Sequence, residues 1–467
     1  MTTSQTPKVS SDAASPAAPV RARRGGPTDP SHDEDLRRGI LRTDVSRPVA
    51  TFLAAAFLAL IYAVPIGQAI RDKVVGDDSV LLDLFRHAPT KENIKEFEDE
   101  LDKASTPREF IRPRMQMLFT RYGGFGNGKA VIGQDDWLFY GPGVTAVGGP
   151  GFLNEGLRAS REKAALDEGS AALFADPRPA ILEFARYLAT RGIQLVLLPI
   201  PDKASLQPVE LHGRRPSGDI VPPRNPDIGQ LEDEVRAAGV MVFDPTPPIL
   251  VKGEPPRFLR QDTHWTPTWM ESVASDLARV LEKSDSNVSP RSAPRQWHVT
   301  AKPVTRVGDV TDMLGLGEGQ TLLAPETTTI HEVRDEKGVL FEGKEDADVL
   351  LMGDSFTNVF SLDQMGWGEG GGFGAHLARA LGRDVDILAQ NDSGAFATRQ
   401  LLSNALADKS DNAGTRDRLS GKTFVVWEFA SRELAVGNWK PISWPKTQSA
   451  TGQAKPQIPA APRGATP

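Results

Sequence analysis

The longest uncharged apolar run of the chain covers Val49 to Ile70, 22 residues with only three polar side chains. As a helix rising 1.5 Å per residue, it would reach about 33 Å, enough to cross a hydrocarbon core of roughly 30 Å. A helix buried in a soluble core normally carries polar residues along one face, and this run does not. We therefore predict one transmembrane helix over residues 49–70.

Basic residues are more numerous before this run than after it. Four arginines lie in residues 37–48, whereas one arginine and one lysine follow in residues 71–73. Because positive charge favours the cytoplasmic side, we expect the N-terminus in the cytoplasm and the rest of the chain in the periplasm, anchored to the inner membrane. Residues 1–48 and 446–467 are rich in small residues and proline, so both are expected to be disordered tails.

From residue 178 onward, short apolar runs alternate with stretches of helical periodicity. This alternation is typical of a parallel sheet covered by helices on both faces. The predicted fold class is α/β: a doubly wound, mostly parallel sheet in α/β/α layers, in one domain at residues 71–445. Strands are expected at 194–200, 240–244, 384–390, 423–429 and within 347–356, and helices at 179–190, 228–238, 267–283, 375–381 and 397–407.

Three segments lie outside this alternation. Residues 91–121 show helical periodicity that we expect to be broken at Pro107 and Pro113. A short aromatic strand ending in a turn is predicted within residues 131–143. Residues 290–346 form a β-rich insertion, in which residues 327–343 are expected to fold as a β-hairpin.

The amino-acid composition excludes several kinds of chemical site and of binding partner. The chain has 467 residues, a formal net charge of −7 and no cysteine. The absence of cysteine excludes disulfides, thiolate metal sites and a cysteine nucleophile. The acidic balance gives no basic footprint for nucleic acid. No His, Asp and Glu cluster has the spacing of a metal site, so neither metal nor cofactor is predicted.

Ligands of a doubly wound sheet bind beyond the carboxyl ends of its strands. Ser355 follows such a strand in the sequence Gly-Asp-Ser-Phe, and a serine on this kind of turn can act as a nucleophile. Asp262 and His264 lie in another such loop, where a carboxylate can orient an imidazole. The alternative is an ordinary turn and a surface loop; finding both motifs at one sheet edge favours a Ser–His–Asp site.

These motifs, with others in the same order, resemble the alginate O-acetyltransferase family (AlgJ/AlgX-like) of the SGNH/GDSL hydrolase-like superfamily. The resemblance covers about residues 91–435, although the Asp–His pair precedes the serine, unlike in typical SGNH members. Its motifs are Trp137–Tyr140, Pro199-x-Pro201-x-Lys203, Asp262–Trp265, Gly308–Leu314, Gly353–Phe356 and Trp427–Phe429 with Arg432.

The resemblance implies that Ser355 accepts the acetyl group, that His264 is the general base and then acid, and that Asp262 holds the imidazole. It also suggests oxyanion or substrate-binding roles for four further residues, Asn391, Lys203, Tyr140 and Arg399. The alternatives are, in the same order, a turn asparagine, a surface lysine, a core tyrosine and a solvated arginine. Trp265 is expected to pack beneath the histidine loop, and residues 366–374 to form a mobile loop beside the site.

The function implied is transfer of an acetyl group through acetyl-serine onto hydroxyls of an extracytoplasmic polysaccharide, alginate-like or another exopolysaccharide. A multi-pass membrane O-acyltransferase would be the acetyl donor. Two alternatives stay open at this point: a carbohydrate acetyl-esterase of the same fold, and a non-catalytic glycan-binding component of a secretion assembly. Motifs alone do not separate a transferase from an esterase, since both use the same residues.

Overall fold

The structure is a computed structural model that describes residues 46–76, 86–104, 106–214, 218–284, 295–391, 394–407 and 417–445. The chain divides into two compact units, Met1–Pro107 and Arg108–Pro467. The tails predicted over residues 1–48 and 446–467 lie outside the described residues, except for residues 46–48. The domain predicted from residue 71 stays a prediction.

We number the elements of the described residues in chain order. The helices are α1 (Arg47–Val75), α2 (Lys91–Ala104), α3 (Thr106–Gly123), α4 (Gly141–Gly148), α5 (Glu155–Asp167), α6 (Pro177–Ala189), α7 (Lys203–Leu206), α8 (Pro208–His212), α9 (Ile228–Ala237), α10 (Pro267–Ser284), α11 (Asp309–Leu314), α12 (Ser355–Asn358), α13 (Phe373–Leu381), α14 (Gly394–Ala407) and α15 (Glu433–Val436). The strands are β1 (Ala130–Ile132), β2 (Leu138–Tyr140), β3 (Gln194–Ile200), β4 (Met241–Val242), β5 (His298–Arg306), β6 (Glu326–Arg334), β7 (Val349–Gly353), β8 (Asp386–Ala389) and β9 (Phe424–Ala430).

Helix α1 contains the predicted membrane span and extends beyond it at both ends. It is 29 residues long, and the large apolar side chains described in it are exposed, Phe52 to 70%. By length and composition it can cross a membrane.

The break predicted at Pro113 does not occur, because helix α3 is continuous there. The helix starts beside Pro107, as predicted, but runs on through Pro113 to Gly123. An interior proline costs a helix about 3 kcal/mol. Here the inner face of α3 packs on its own unit: Met117 contacts the cluster around Leu138 and Leu314, and Pro113 approaches Gly317. We attribute the continuity of the helix to this packing.

The aromatic segment is a hairpin rather than one strand. Strands β1 and β2 pair antiparallel, and Asp135 and Asp136 between them take left-handed backbone angles, φ 50° and 62°. The expected turn after Tyr140 is instead the start of α4. The two positive φ angles reverse the chain within five residues, which splits the predicted strand.

The central sheet has five parallel strands in the order β4-β3-β9-β7-β8. One of its faces packs mainly against α10 and α13, and the other against α6, α9 and α14. These are the three layers of an α/β/α fold, as predicted. Strand β9, the last in sequence, lies at the centre of the sheet, so the carboxyl ends of β3, β9 and β7 are neighbours.

The insertion pairs differently from the prediction. Strand β6 pairs antiparallel with the preceding β5, from His298 opposite Arg334 to Arg306 opposite Glu326. Within residues 327–343, predicted as a hairpin, the pairing is limited to an isolated bridge between Arg334 and Leu340. The full length of β5 therefore offers β6 far more backbone hydrogen bonds than the short segment that follows it.

Candidate active site

The nucleophile candidate lies on a tight turn between β7 and α12. Gly353 ends the strand, and a side chain there would approach Thr357 Oγ1 to 2.0 Å and Glu428 Oε2 to 2.8 Å. Asp354 caps α12 by accepting a hydrogen bond from the Phe356 N–H at 2.8 Å. Ser355 is the first residue of the helix, so its hydroxyl stands at the carboxyl edge of the sheet.

The second loop, residues 257–266, is closed by its own backbone. The Leu259 N–H donates to His264 O at 3.1 Å, and the Thr266 N–H donates to Arg257 O at 2.8 Å. Trp265 is fully buried below the loop, where its Nε1–H donates to Phe356 O at 3.1 Å. This contact agrees with the expected packing role of Trp265 and ties the histidine loop to the serine turn.

The two loops bring the three predicted residues into one hydrogen-bonded chain. His264 Nε2 lies 2.8 Å from Ser355 Oγ, and His264 Nδ1 lies 2.6 Å from Asp262 Oδ1. With the Nδ1 proton directed at the carboxylate, Nε2 is free to accept the serine proton. Asp262 and His264 are both buried, whereas Ser355 is half-buried. This is the geometry of a nucleophile, a base and an orienting carboxylate.

Further donors hold the outer oxygen of Asp262. Asp262 Oδ2 accepts hydrogen bonds from Trp367 Nε1 at 2.9 Å and from the Asp309 N–H at 3.0 Å. Asp309 Oδ1 in turn accepts the Thr263 N–H at 2.7 Å. Gly308 is needed for this approach, because a side chain there would lie 2.3 Å from Gln261 O.

The electrostatics of the pair follow from burial and mutual attraction. Burial alone would raise the pKa of Asp262, but the positive charge of His264 and the hydrogen bonds to the carboxylate outweigh it and hold that pKa below its usual range. Burial alone would lower the pKa of His264, but Asp262 outweighs it and raises the pKa above 6.5. The arrangement therefore stabilises an imidazolium opposite a carboxylate.

Lys203 has a structural role in the site, and the substrate contact that the sequence suggested for it stays a prediction. Its side chain is buried, and Nζ donates to the carbonyl oxygens of Leu138, Arg260 and Asp262 at 2.5, 2.8 and 3.1 Å. Burial lowers the pKa of Lys203 to about 7, while three acceptors match the three donors of its ammonium form. Lys203 therefore fixes the Asp262 loop on the β2 hairpin.

Tyr140 lies near Thr263, the residue between Asp262 and His264. With Asp202, Thr263 and Arg432 it lines a cavity of about 10 Å³. The Arg432 guanidinium carbon lies 5.1 Å from the centroid of the Tyr140 ring and 5.8 Å from that of Phe356. Burial raises the pKa of Asp202 to about 6, although Arg432 at 3.6 Å opposes this shift. A contact of Tyr140 with substrate stays a prediction.

The two remaining candidate residues, Asn391 and Arg399, lie in different parts of the structure. The side-chain oxygen of Asn391 accepts a hydrogen bond from Asn358 Nδ2 at 2.8 Å, which places Asn391 next to the end of α12; its oxyanion role stays a prediction. The prediction that Arg399 contacts substrate is wrong, because Arg399 is 0% exposed and lies on the other face of the sheet, 5.3 Å from the Trp427 ring. It donates to Ala395 O and Lys440 O and offers no surface to a substrate.

The structure also brings together a set that sequence spacing did not reveal. Ligand atoms of Asp262, His264 and Asp309 lie within 4.8 Å of one another. Both oxygens of Asp262 already accept hydrogen bonds, and both ring nitrogens of His264 are engaged. These three residues are therefore better explained as members of the hydrogen-bonded chain than as ligands of a metal ion.

Residues 366–374 are packed, not a mobile loop. Gly366, Gly368 and Gly370 take left-handed angles of φ 77°, 83° and 71°, and Trp367 between them is buried against Asp262. The run of glycines in the sequence indicated left-handed backbone angles, but nothing in the neighbouring sequence indicated that Trp367 contacts Asp262. Asp309 and Glu428 were also missed as site residues, although both lie in motifs that carried the family resemblance.

The parallel sheet, with a hydrogen-bonded Ser, His and Asp at its carboxyl edge, defines an SGNH hydrolase-like α/β domain. The family model described as "SGNH hydrolase-like domain, acetyltransferase AlgX" matches residues 130–431. The chain belongs to this family and is an acetyltransferase.

Curated relatives agree with the family. The chain is 27% identical over 324 residues to the probable alginate O-acetylase AlgJ of Pseudomonas putida, covering 67% of this chain and 72% of the relative. It is 26% identical over 323 residues to the protein of the same description from Azotobacter vinelandii, with the same coverage. Among solved structures, the O-acetyltransferase domain of Pseudomonas putida AlgJ aligns with a TM-score of 0.46 at 25% identity, over 66% of this chain and 93% of that one.

Proposed function

We propose that the chain transfers an acetyl group through an acetyl-Ser355 intermediate onto hydroxyls of a polysaccharide outside the cytoplasm. The observation that carries this proposal is the continuous hydrogen-bond chain from Ser355 Oγ through His264 to Asp262. His264 serves as general base and acid, and Asp262 orients its ring.

In the first half-reaction Ser355 Oγ attacks the acetyl carbonyl of the donor, while its proton passes to His264 Nε2. The bond to the donor's leaving oxygen then breaks, and this oxygen takes the proton from His264. In the second half-reaction an acceptor hydroxyl gives its proton to His264 Nε2 and attacks the acetyl carbon. The ester bond to Ser355 breaks, and Oγ regains a proton.

The backbone of the serine turn supplies one oxyanion donor. Among the residues that the structure describes, the Ser355 N–H has no hydrogen-bond acceptor. Its neighbours on the turn are all engaged: the Asp354 N–H by Glu428, and the Phe356 N–H by Asp354. A free N–H on the nucleophile itself is available to the oxygen that becomes negative during acyl transfer.

The first acceptor to test is alginate, because the curated relatives are described as probable alginate O-acetylases. A neutral exopolysaccharide is the second, since a chain of net charge −7 has no overall attraction for a polyanion. A multi-pass membrane O-acyltransferase is the proposed acetyl donor. We also propose that α1 anchors the chain in the inner membrane and that the residues after it lie in the periplasm, the compartment in which such a donor would deliver acetyl groups.

The test uses the full chain in detergent with a soluble acetyl ester and deacetylated oligosaccharides, one alginate-derived and one neutral. We expect an acetylated sugar, and an enzyme heavier by one acetyl group when acceptor is omitted. Ser355→Ala abolishes both products, while Ser420→Ala, an exposed serine outside the site, keeps them. Acetate release without acetylated sugar would favour the esterase instead.

The scaffold alternative and the membrane topology need separate measurements in cells. Full polymer acetylation in a Ser355→Ala strain would refute catalysis at this site. Alkaline phosphatase fused after residue 445 should be active if that end lies in the periplasm, and inactive if it lies in the cytoplasm.

A further inference from the structure

A buried carboxyl group lies directly behind the serine turn. Glu428, in the middle of β9, is 1% exposed. Its Oε2 accepts the Asp354 N–H at 3.0 Å and the Thr357 hydroxyl at 2.7 Å. These two donors flank Ser355 on both sides, so a single oxygen atom holds the turn that presents the hydroxyl.

The same turn reaches back to the same strand. Asp354 accepts the Phe356 N–H with one oxygen and the Ala430 N–H, at 3.0 Å, with the other. Two carboxyl groups therefore join residues 354–357 to β9 in opposite directions. At Gly353 there is no room for a side chain between Thr357 and Glu428, so the turn lies as close to β9 as its backbone permits.

We infer that Glu428 is a positioning residue for the nucleophile: it fixes the turn on β9 so that Ser355 Oγ stays within hydrogen-bond distance of His264 Nε2. The inference rests on the proposed role of Ser355. It adds a residue that touches neither substrate nor reacting atoms, and whose effect on the reaction passes entirely through the position of Ser355.

The surroundings indicate that Glu428 works as a neutral acid. Within the described residues it forms no ion pair, and its Oε1 has no hydrogen-bond partner. Burial and then the negative charge of Asp354 raise the pKa of Glu428 well above 4.5. The charged groups nearby are His264, Arg432 and Glu433, and each of them interacts electrostatically with Asp354.

A neutral acid and an amide are interchangeable here. In Glu428→Gln the side-chain oxygen can still accept both hydrogen bonds, and no negative charge can develop. In Glu428→Ala, by contrast, the Asp354 N–H and the Thr357 hydroxyl lose their acceptor inside the protein. The pair of variants thus separates the loss of the hydrogen bonds from the loss of the ionisable group.

The experiment measures kcat and KM of the full chain with a soluble acetyl ester across pH, together with thermal unfolding. Glu428→Ala should lower kcat about 100-fold with KM little changed, the scale expected for a displaced nucleophile. Glu428→Gln should restore kcat. It should also remove the decline in kcat that we expect of the wild type as the pH rises through the raised pKa of Glu428, where Glu428 ionises beside Asp354. Glu336→Ala, an exposed glutamate, is the matched control and should change nothing.

Two results would overturn the inference: full kcat in Glu428→Ala, or a Glu428→Gln variant as inactive as the alanine variant. If Glu428→Ala does not fold, Thr357→Val removes one of the two donors and should show a smaller loss of kcat, again with KM unchanged. Ser355→Ala separates this inference from the proposed function. If Ser355→Ala keeps transferase activity, the proposed function itself is wrong. If Ser355→Ala is inactive while Glu428→Ala is fully active, only the inferred role of Glu428 is wrong.

Discussion

Trp367 offers a direct test of how the triad is held. Its Nε1–H donates to Asp262 Oδ2 at 2.9 Å, and its ring is 1% exposed. Trp367→Phe keeps an aromatic ring but removes this donor. A hydrogen bond to a charged group contributes about 1.5–3 kcal/mol. If that energy orients Asp262, and through it His264, kcat should fall between about 12-fold and about 150-fold.

The assay compares kcat with the unfolding free energy, because the smaller ring also leaves a cavity in the core. Trp297→Phe is the matched control, since Trp297 packs against the same core but its Nε1 has no hydrogen-bond partner in the described residues. Both variants should lose stability, but only Trp367→Phe should lose kcat. Equal kcat in the two variants would refute the reasoning that the indole N–H orients Asp262.

Three further predictions follow from the site and its surroundings. Lys203→Met removes the donor from the buried carbonyl oxygens of Leu138 and Asp262, while Arg260 O keeps the Leu138 N–H, and should lower the unfolding free energy by at least about 2 kcal/mol in urea titrations; an unchanged midpoint would contradict this. The pKa of His264 is raised and the base must be neutral, so the acid limb of kcat/KM should lie above pH 6.5, and a limb at or below it would exclude His264 as that base. Burial lowers the pKa of His376, so stability should be complete above pH 6.5 and fall as the pH drops through the lowered pKa; His376→Phe should reduce this acid sensitivity.

Much of the fold follows from local pattern. The strands of the sheet are mainly apolar runs, interrupted by Glu428 in β9 and Asp386 in β8, and strand β3 coincides with its prediction at both ends. The two loops of the proposed active site were predictable because Ser355, Asp262 and His264 lie where such strands end. The insertion was harder, because β6 could pair with a segment before or after it, and only the packed structure selects β5.

The supporting residues of the site could not be predicted in this way. Lys203, Trp367 and Glu428 act on residues 59, 105 and 74 positions away in sequence. A lysine after a strand is usually solvated, and a tryptophan among glycines gives no sign of its partner. Arg399 shows the converse error: a helical arginine was assigned to a surface, but its guanidinium lies in the core. Such roles depend on tertiary contacts, which periodicity does not encode.

The central place of β9 has a consequence for biosynthesis. Strands β3 and β7 each bond to β9 and not to each other, so until residues 424–430 emerge the sheet consists of two separate pairs with open edges. Open strand edges invite wrong pairing and aggregation. We therefore expect a nascent chain stopped before β9 to hold neither the serine turn nor the acyl-transfer site, and to depend on chaperones until its last strand arrives. Enzymatic competence would then appear only at the end of synthesis.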